Sequence, residues 1–376
     1  MYPLLQFSGA SPEVVSKQVA LSALLAEHRE NPASLTEEWC AQLELLPFHC
    51  VLERRQGRTP SSAAIHAYME ALANTIPLRR ALLQAAAALS GAGVHAIVYK
   101  GQDYLHRIYG ELGGRAMADV DLLVSEAELG RAEAALLSAG FTPDRSCKLM
   151  HERRFCKDGV AIDLHHALLQ PARMAVVHAE LFARAQPCPF ARGLFVLEAT
   201  DALLVHCVNQ TVKGYFLPPS SYLELQALLA AADLESALAR ARRWQAQSAL
   251  YCSLEVLGRL GHRLARFAAG RIALSARRKQ LLNAVIADFA LSSLLRVQPS
   301  RAAMLARKTT LIDDPKAALR FVPAWFGWQL PWKAPRPLID TGESAQAPPW
   351  QTTRTRTSTE RAESSCARWS MPPRSF

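Results

Sequence analysis

Residues 118–124, Ala-Asp-Val-Asp-Leu-Leu-Val, set two carboxylates at i and i+2 inside an apolar run. In a β-strand, side chains two positions apart leave the same face. Asp119 and Asp121 then stand side by side, while Val120 and Leu122 face the other way. Two like charges confined together are costly unless positive charge lies between them. A divalent cation supplies that charge, and an all-oxygen donor set suits Mg²⁺. The segment therefore offers a strand with a metal site on one face, although Asp-x-Asp in isolation also suits a capped loop or a solvated strand face.

A chain of 376 residues can bury a sizeable core in one to three domains. Ala, Leu and Arg are abundant, so helix is the expected majority element. The net charge of +10 suits a polyanionic partner, either nucleic acid or a phosphorylated substrate. Arginine-rich composition gives the same charge without any polyanion, and no run of Lys and Arg stands out as a nucleic-acid arm. None of the eight cysteines forms a Cys-x-x-Cys pair. Reduced, buried thiols in a cytoplasmic protein are expected, rather than a cysteine zinc site or a disulfide framework. No apolar stretch reaches the roughly 18 residues of a membrane span, and Met1 to Ala10 lacks the pattern of a signal peptide.

Residues 1–77 read as a helical N-terminal region. Val14 to His28 and Ser34 to Leu46 carry helix-spaced apolar residues. Pro47 and the basic run Glu53 to Arg58 mark breaks, and a helix from about Ser62 is interrupted at Ile76-Pro77. Residues 78–195 read as an α/β core. A helix from Leu78 to Ser90 stops at Gly91 and Gly93. A β-rich run, Val94 to Tyr99, closes on Lys100-Gly101, and a helix follows from Gln102 to about Tyr109. A Gly-rich loop, Gly110 to Arg115, leads into the Asp-x-Asp strand. Ser125 and Glu128 form a capping box for a helix ending at Gly140. Lys157-Asp158-Gly159 is a hairpin turn between two strands, the second being Val160 to His165.

Residues 196–332 read as a helical C-terminal domain. Thr200 caps a helix holding His206, expected to be a satisfied core histidine. Ser221 to Ala232, Leu234 to Gly258 and Ser275 to Leu295 follow as amphipathic segments. Trp325, Trp328 and Trp332 offer packing against the last helix or an interaction surface. Residues 333–376, rich in Pro, Thr, Ser, Arg and Gln, read as a disordered tail.

Asp163 sits in mid-strand, an unusual place for a residue that disfavours sheets. His165, two residues on, shares its face. If that strand neighbours the Asp-x-Asp strand, three carboxylates converge and can hold two Mg²⁺ ions for in-line attack at phosphorus.

The sequence of strand, Lys-Gly, helix, Arg-x-x-x-Asp-x-Asp strand, helix, hairpin and Asp-x-His strand resembles the uncharacterised nucleotidyltransferase family of the DNA polymerase beta-like superfamily. The residues that carry it are Tyr99-Lys100-Gly101, Leu105, Tyr109, Arg115, Asp119 to Val124, Gly140-Phe141 and Ile162 to His165. It covers residues 78 to 170 well and the region around Asp201 to His206 more weakly. The superfamily usually carries a Gly-Ser pair where this chain has Lys100-Gly101, without the serine.

The resemblance implies an α/β (α+β) fold: a small mixed-sheet nucleotidyltransferase core, mostly covered on one face, between helical regions. It implies transfer of a nucleoside monophosphate from an NTP such as ATP to an acceptor hydroxyl or phosphate, with release of pyrophosphate. Asp119, Asp121 and Asp163 would be the catalytic, metal-holding residues. Lys100, Gly101 and Arg115 would bind the nucleotide triphosphate, with the helix start at Gln102 receiving a phosphate. His165 would orient Asp163 or touch the acceptor, which is a small molecule, sugar, RNA or protein. The alternatives are a non-catalytic nucleotide- or partner-binding module of the same fold and a helical scaffold in a biosynthetic assembly.

Overall fold

Alternation along Val120, Leu122 and Val124 requires a sheet with a greasy back, and the computed structural model supplies one. It describes residues 36–144, 151–169, 173–213, 218–295 and 300–329. The helix expected at 14–28, the tail 333–376, Cys147, Cys366 and Trp332 lie outside the described residues, as do the side chains of Trp325 and Trp328.

Among the described residues the sheet has seven strands: β1 (Ile97–Tyr99), β2 (Asp119–Leu123), β3 (Thr142–Pro143), β4 (Glu152–Lys157), β5 (Val160–His165), β6 (Gln186–Pro187) and β7 (Phe195–Val196). Their spatial order is β3-β4-β5-β2-β1-β7-β6. β2 runs parallel to β5 and β1 parallel to β7, while the other neighbours are antiparallel. Asp158 and Gly159 both have positive φ (+51° and +78°), the two-residue turn expected between β4 and β5.

Helices α1 (Glu37–Gln42) and α2 (Leu46–Arg55) precede α3 (Ser62–Gly91), whose N-cap Ser61 accepts from the Ala64 amide at 3.1 Å. Pro47 does not break the chain. It sits in the first turn of α2, where its missing N–H has no helical partner to lose. The basic run does not mark a break throughout either, since Arg54 and Arg55 form the last turn of α2, where positive charge is favourable. Nor does Pro77 interrupt α3. The buried stripe of Leu78, Leu82, Ala85, Ala86 and Leu89 beyond it holds the helix on the sheet despite one lost backbone bond.

After β1 comes α4 (Gly101–Tyr104), extended by a π turn over Leu105–Tyr109 and ended by Gly110 at φ +71°. The expected capping box takes another form. The Ser125 hydroxyl donates to Glu128 Oε2 at 2.8 Å, the main chain makes a 3₁₀ turn over Glu126–Glu128, and α5 (Leu129–Ser138) starts only afterwards.

α6 (His178–Arg184) lies within the 78–195 region, and the chain after it is helical as expected: α7 (Ala199–Val212), α8 (Ser220–Ala231), α9 (Leu234–Arg243), α10 (Gln247–Arg259), α11 (Arg263–Arg271), α12 (Ala276–Leu295), α13 (Arg301–Thr310) and α14 (Pro315–Gln329). Two details differ. The cap of α7 is Glu198, which accepts from the Thr200 and Asp201 amides, and not Thr200. The stretch 234–258 splits into α9 and α10 at Gln245, whose φ is +53°. Among the described residues no helix is long and apolar enough to cross a membrane.

Both faces of the sheet are covered, not mainly one. Val98, Val120, Leu122, Ile162 and Leu164 pack on α3 and α5. On the other face Ile97, Tyr99 and Leu123 join a core shared by α1, α2, α6 and the helices α7 to α12. The acidic residues of β2 and β5 thus lie on a sheet face roofed by helices.

Candidate active site

The parallel register of β2 on β5 sets Asp121 opposite Asp163 and Leu123 opposite His165. Asp119, two residues before Asp121, shares that face. β1 and β4 extend the same rows, so that Tyr99, Asp121, Asp163 and Arg154 form one rung across four strands. Leu123, His165 and Glu152 form the next. The convergence of Asp119, Asp121 and Asp163 expected from the sequence is present, with Asp121 and Asp163 buried and Asp119 partly exposed.

Each buried acid has a cationic partner. Lys100 donates to Asp121 Oδ1 at 2.8 Å, and His165 Nε2 lies 3.0 Å from the same oxygen. Arg154 grips Asp163 with two bonds, Nε to Oδ1 at 2.7 Å and Nη2 to Oδ2 at 2.9 Å. Burial alone would push Asp121 up, yet Lys100 and His165 together hold it well below the carboxylate range. The same ion pair keeps Lys100 above the usual lysine range against its burial. Asp119 makes no hydrogen bond or ion pair among the described residues. Desolvation first, then the charges of Asp121 and Asp163, push it up to about 6.

Lys100 occupies the sharp turn from β1 into α4 with φ +55° and ψ −129°, a conformation that suits glycine better than lysine. Gly101 opens α4, where an added Cβ would stand 3.1 Å from Met117 Sδ and 3.6 Å from Arg115 Nη1. Arg115 is engaged away from the acids. Its Nε donates to Glu224 Oε1 of α8 at 2.6 Å, and the Tyr109 hydroxyl donates to the same oxygen at 3.1 Å. His165 contacts Asp121 rather than Asp163. His206 is the satisfied core histidine expected: Nδ1 lies 3.0 Å from the Tyr104 hydroxyl and Nε2 3.0 Å from the Ser221 carbonyl oxygen.

Four residues at the site went unread in the sequence: His151, Glu152, Arg154 and Lys213. The two-residue turn at Asp158-Gly159 contains the signal for Glu152 and Arg154. It pairs Lys157 with Val160 and so puts Arg154 opposite Asp163 and Glu152 opposite His165. Lys213 ends α7 and its charge bears on Lys100, Asp121, Asp119 and Arg115. Desolvation, then the charge of Lys100, lowers its ammonium below the usual lysine range. No local pattern marks it, because it arrives from a distant helix.

A family model described as an uncharacterised nucleotidyltransferase matches residues 45–261. No curated protein and no solved structure matches the chain. The matched region takes in α2 through α10 together with Lys100, the Asp-x-Asp strand, Asp163 and Glu224, and it exceeds half of the 376 residues. The chain belongs to the uncharacterised nucleotidyltransferase family.

Proposed function

We propose that the protein moves a nucleoside monophosphate from an NTP such as ATP to an acceptor hydroxyl or phosphate. The bond from acceptor oxygen to the α-phosphorus forms, the bond to the β-phosphate oxygen breaks, and pyrophosphate leaves. The observation that carries this reading is the β2–β5 register, which puts Asp121 against Asp163 with Asp119 on the same face. The donor set fits a hard divalent cation. It is all carboxylate, it is set among buried groups, and Asp119 holds no competing partner among the described residues. Asp119, Asp121 and Asp163 would hold Mg²⁺, in two sites by analogy with the superfamily, and the ions would supply charge stabilisation at the transferring phosphoryl group.

The chain's own residues have the following roles in this reading. Asp163 accepts the acceptor's proton once Arg154 yields it. Lys100 and Lys213 bring positive charge to the triphosphate, and the start of α4 at Gly101 receives a phosphate. Arg115 fixes α8 through the bond of its Nε to Glu224 and brings its guanidinium charge to the nucleotide. His165 orients Asp121. We read 78–195 as the catalytic core and 196–332 as the helical domain that faces the acceptor, which is a small molecule, sugar, RNA or protein. The six described cysteines are all free and buried, in keeping with the reducing conditions of the cytoplasm.

The bidentate hold of Arg154 on Asp163 is the observation that favours the alternative, a nucleotide- or partner-binding module without turnover. Calorimetry separates the two. Each of the four NTPs is titrated with Mg²⁺ into the wild type and into Asp119→Asn/Asp121→Asn. Metal-dependent binding in the wild type that the variant loses supports the site, and turnover of the bound nucleotide then supports the transferase. Absence of binding to every NTP overturns both nucleotide readings.

A further inference from the structure

Beside the three aspartates lies a second cluster with different chemistry. His151, Glu152 and His165 come together where β4 begins and β5 ends. One ligand atom from each lies within 4.8 Å of the others. His165 Nδ1 stands 3.3 Å from Glu152 Oε2, and His151 Nε2 stands 3.7 Å from that same oxygen. Ligand atoms 2.0–2.1 Å from a tetrahedral zinc ion stand about 3.3 Å from one another. The spacing is thus near that of a metal-bound set.

The cluster is buried, with His165 at 4 % and His151 and Glu152 at 6 % exposure. Within it His165 Nδ1 makes no hydrogen bond, although the ring's other nitrogen is fixed on Asp121. A buried ring nitrogen left without a hydrogen bond is costly.

We infer that His151, Glu152 and His165 form a site for a borderline divalent transition metal of the zinc class, separate from the all-oxygen site of Asp119, Asp121 and Asp163. Two imidazoles and one carboxylate select against Mg²⁺ and for zinc-like ions. The hydrogen bond from His165 Nε2 to Asp121 is the carboxylate support that a metal-bound histidine usually has. With Nδ1 on a metal, the ring proton must sit on Nε2, the tautomer that donates to Asp121. The ion would therefore fix the orientation of a carboxylate in the neighbouring site without touching the nucleotide.

The test uses the full chain, stripped of metal by a chelator and titrated with Zn²⁺ by calorimetry in excess Mg²⁺. One equivalent of Zn²⁺ is expected in the wild type and in Asp119→Asn. His151→Ala and Glu152→Gln should each weaken binding at least about 100-fold at unchanged circular dichroism. No stoichiometric Zn²⁺ in the wild type, binding that survives both variants, or binding abolished by Asp119→Asn each overturns the inference. X-ray absorption of the zinc-loaded wild type needs no variant. Scattering from two imidazoles supports the assignment, and an oxygen-only environment refutes it. Mg²⁺ binding, read separately, reports on the aspartate site, so failure of one site is distinguishable from failure of the other.

Discussion

Lys100 reaches Asp121 Oδ1 at 2.8 Å from a backbone conformation, φ +55° and ψ −129°, that lysine rarely adopts. The charge needed at Asp121 is thus placed on the one residue of the β1–α4 turn where a side chain is sterically unwelcome. Such strain costs on the order of 1–3 kcal/mol. Lys100→Gly and Lys100→Ala both remove the ammonium, so both should lower nucleotidyl transfer about 10²–10³-fold. Their stabilities should differ in an unusual direction. Glycine ordinarily costs 0.5–1 kcal/mol relative to alanine, but here Lys100→Gly should be the more stable by about 1 kcal/mol or more in urea denaturation. An alanine variant as stable as the glycine one would show that the turn relaxes when the ion pair is gone.

Arg154 competes with any cation for Asp163. Two bonds of 2.7 and 2.9 Å neutralise that carboxylate while no metal is bound. Replacing Arg154 by Gln removes the competing charge. Mg²⁺ should then bind about tenfold more tightly by calorimetry, a change near 1.4 kcal/mol. An unchanged affinity would mean that the arginine stays on Asp163 in the metal-bound state, which counts against Asp163 as a ligand.

The extent to which this site can be read from the chain depends on how local each contact is. Asp119 and Asp121 declare themselves by spacing alone, and Asp163 and His165 by an acid in a β-branched run. The turn at Asp158-Gly159 encodes the opposition of Arg154 and Asp163, since a two-residue loop leaves no freedom of register. Helix ends read less well. Pro47 suggests a break but opens α2, where proline is locally tolerated, and at Pro77 the packing of α3 overrides the local preference. Lys213 and Glu224 are invisible in the same sense. They approach the site from α7 and α8 across a hundred residues of chain, and nothing in their neighbours' spacing points there.

Glu224 shows what such a long-range contact does. Its buried carboxylate accepts from Arg115 at 2.6 Å and from Tyr109 at 3.1 Å, tying the loop before β2 to α8. Removing only one partner leaves the other charge or hydroxyl buried and unpaired. Arg115→Met should therefore destabilise the protein by about 3 kcal/mol in chemical denaturation. Arg115→Met/Glu224→Leu should recover part of that loss, because the charge goes as a pair while the Tyr109 hydroxyl loses its acceptor. A double variant as unstable as the single one would mean that Glu224 has a further polar role in the roof of the site.

Asp119 gives a pH dependence of definite sign. Its carboxyl is pushed up to about 6 in the folded protein, against an ordinary value of 3.8. The native state therefore binds this proton more tightly than the unfolded chain does. The contribution to stability is fully present below pH 3.8 and is lost as pH rises through about 6. Asp119→Asn has no such proton. Its stability relative to the wild type should climb between pH 4 and 6 and level off above, by no more than about 3 kcal/mol. The difference should fall short of that limit because the carboxylate is partly solvated. Urea denaturation of both proteins across pH 4–8 in chelator measures it. Adding Mg²⁺ should stabilise the wild type above pH 6 and shrink the gap, since a bound cation favours the ionised acid that burial disfavours. A gap insensitive to Mg²⁺ would place the metal elsewhere.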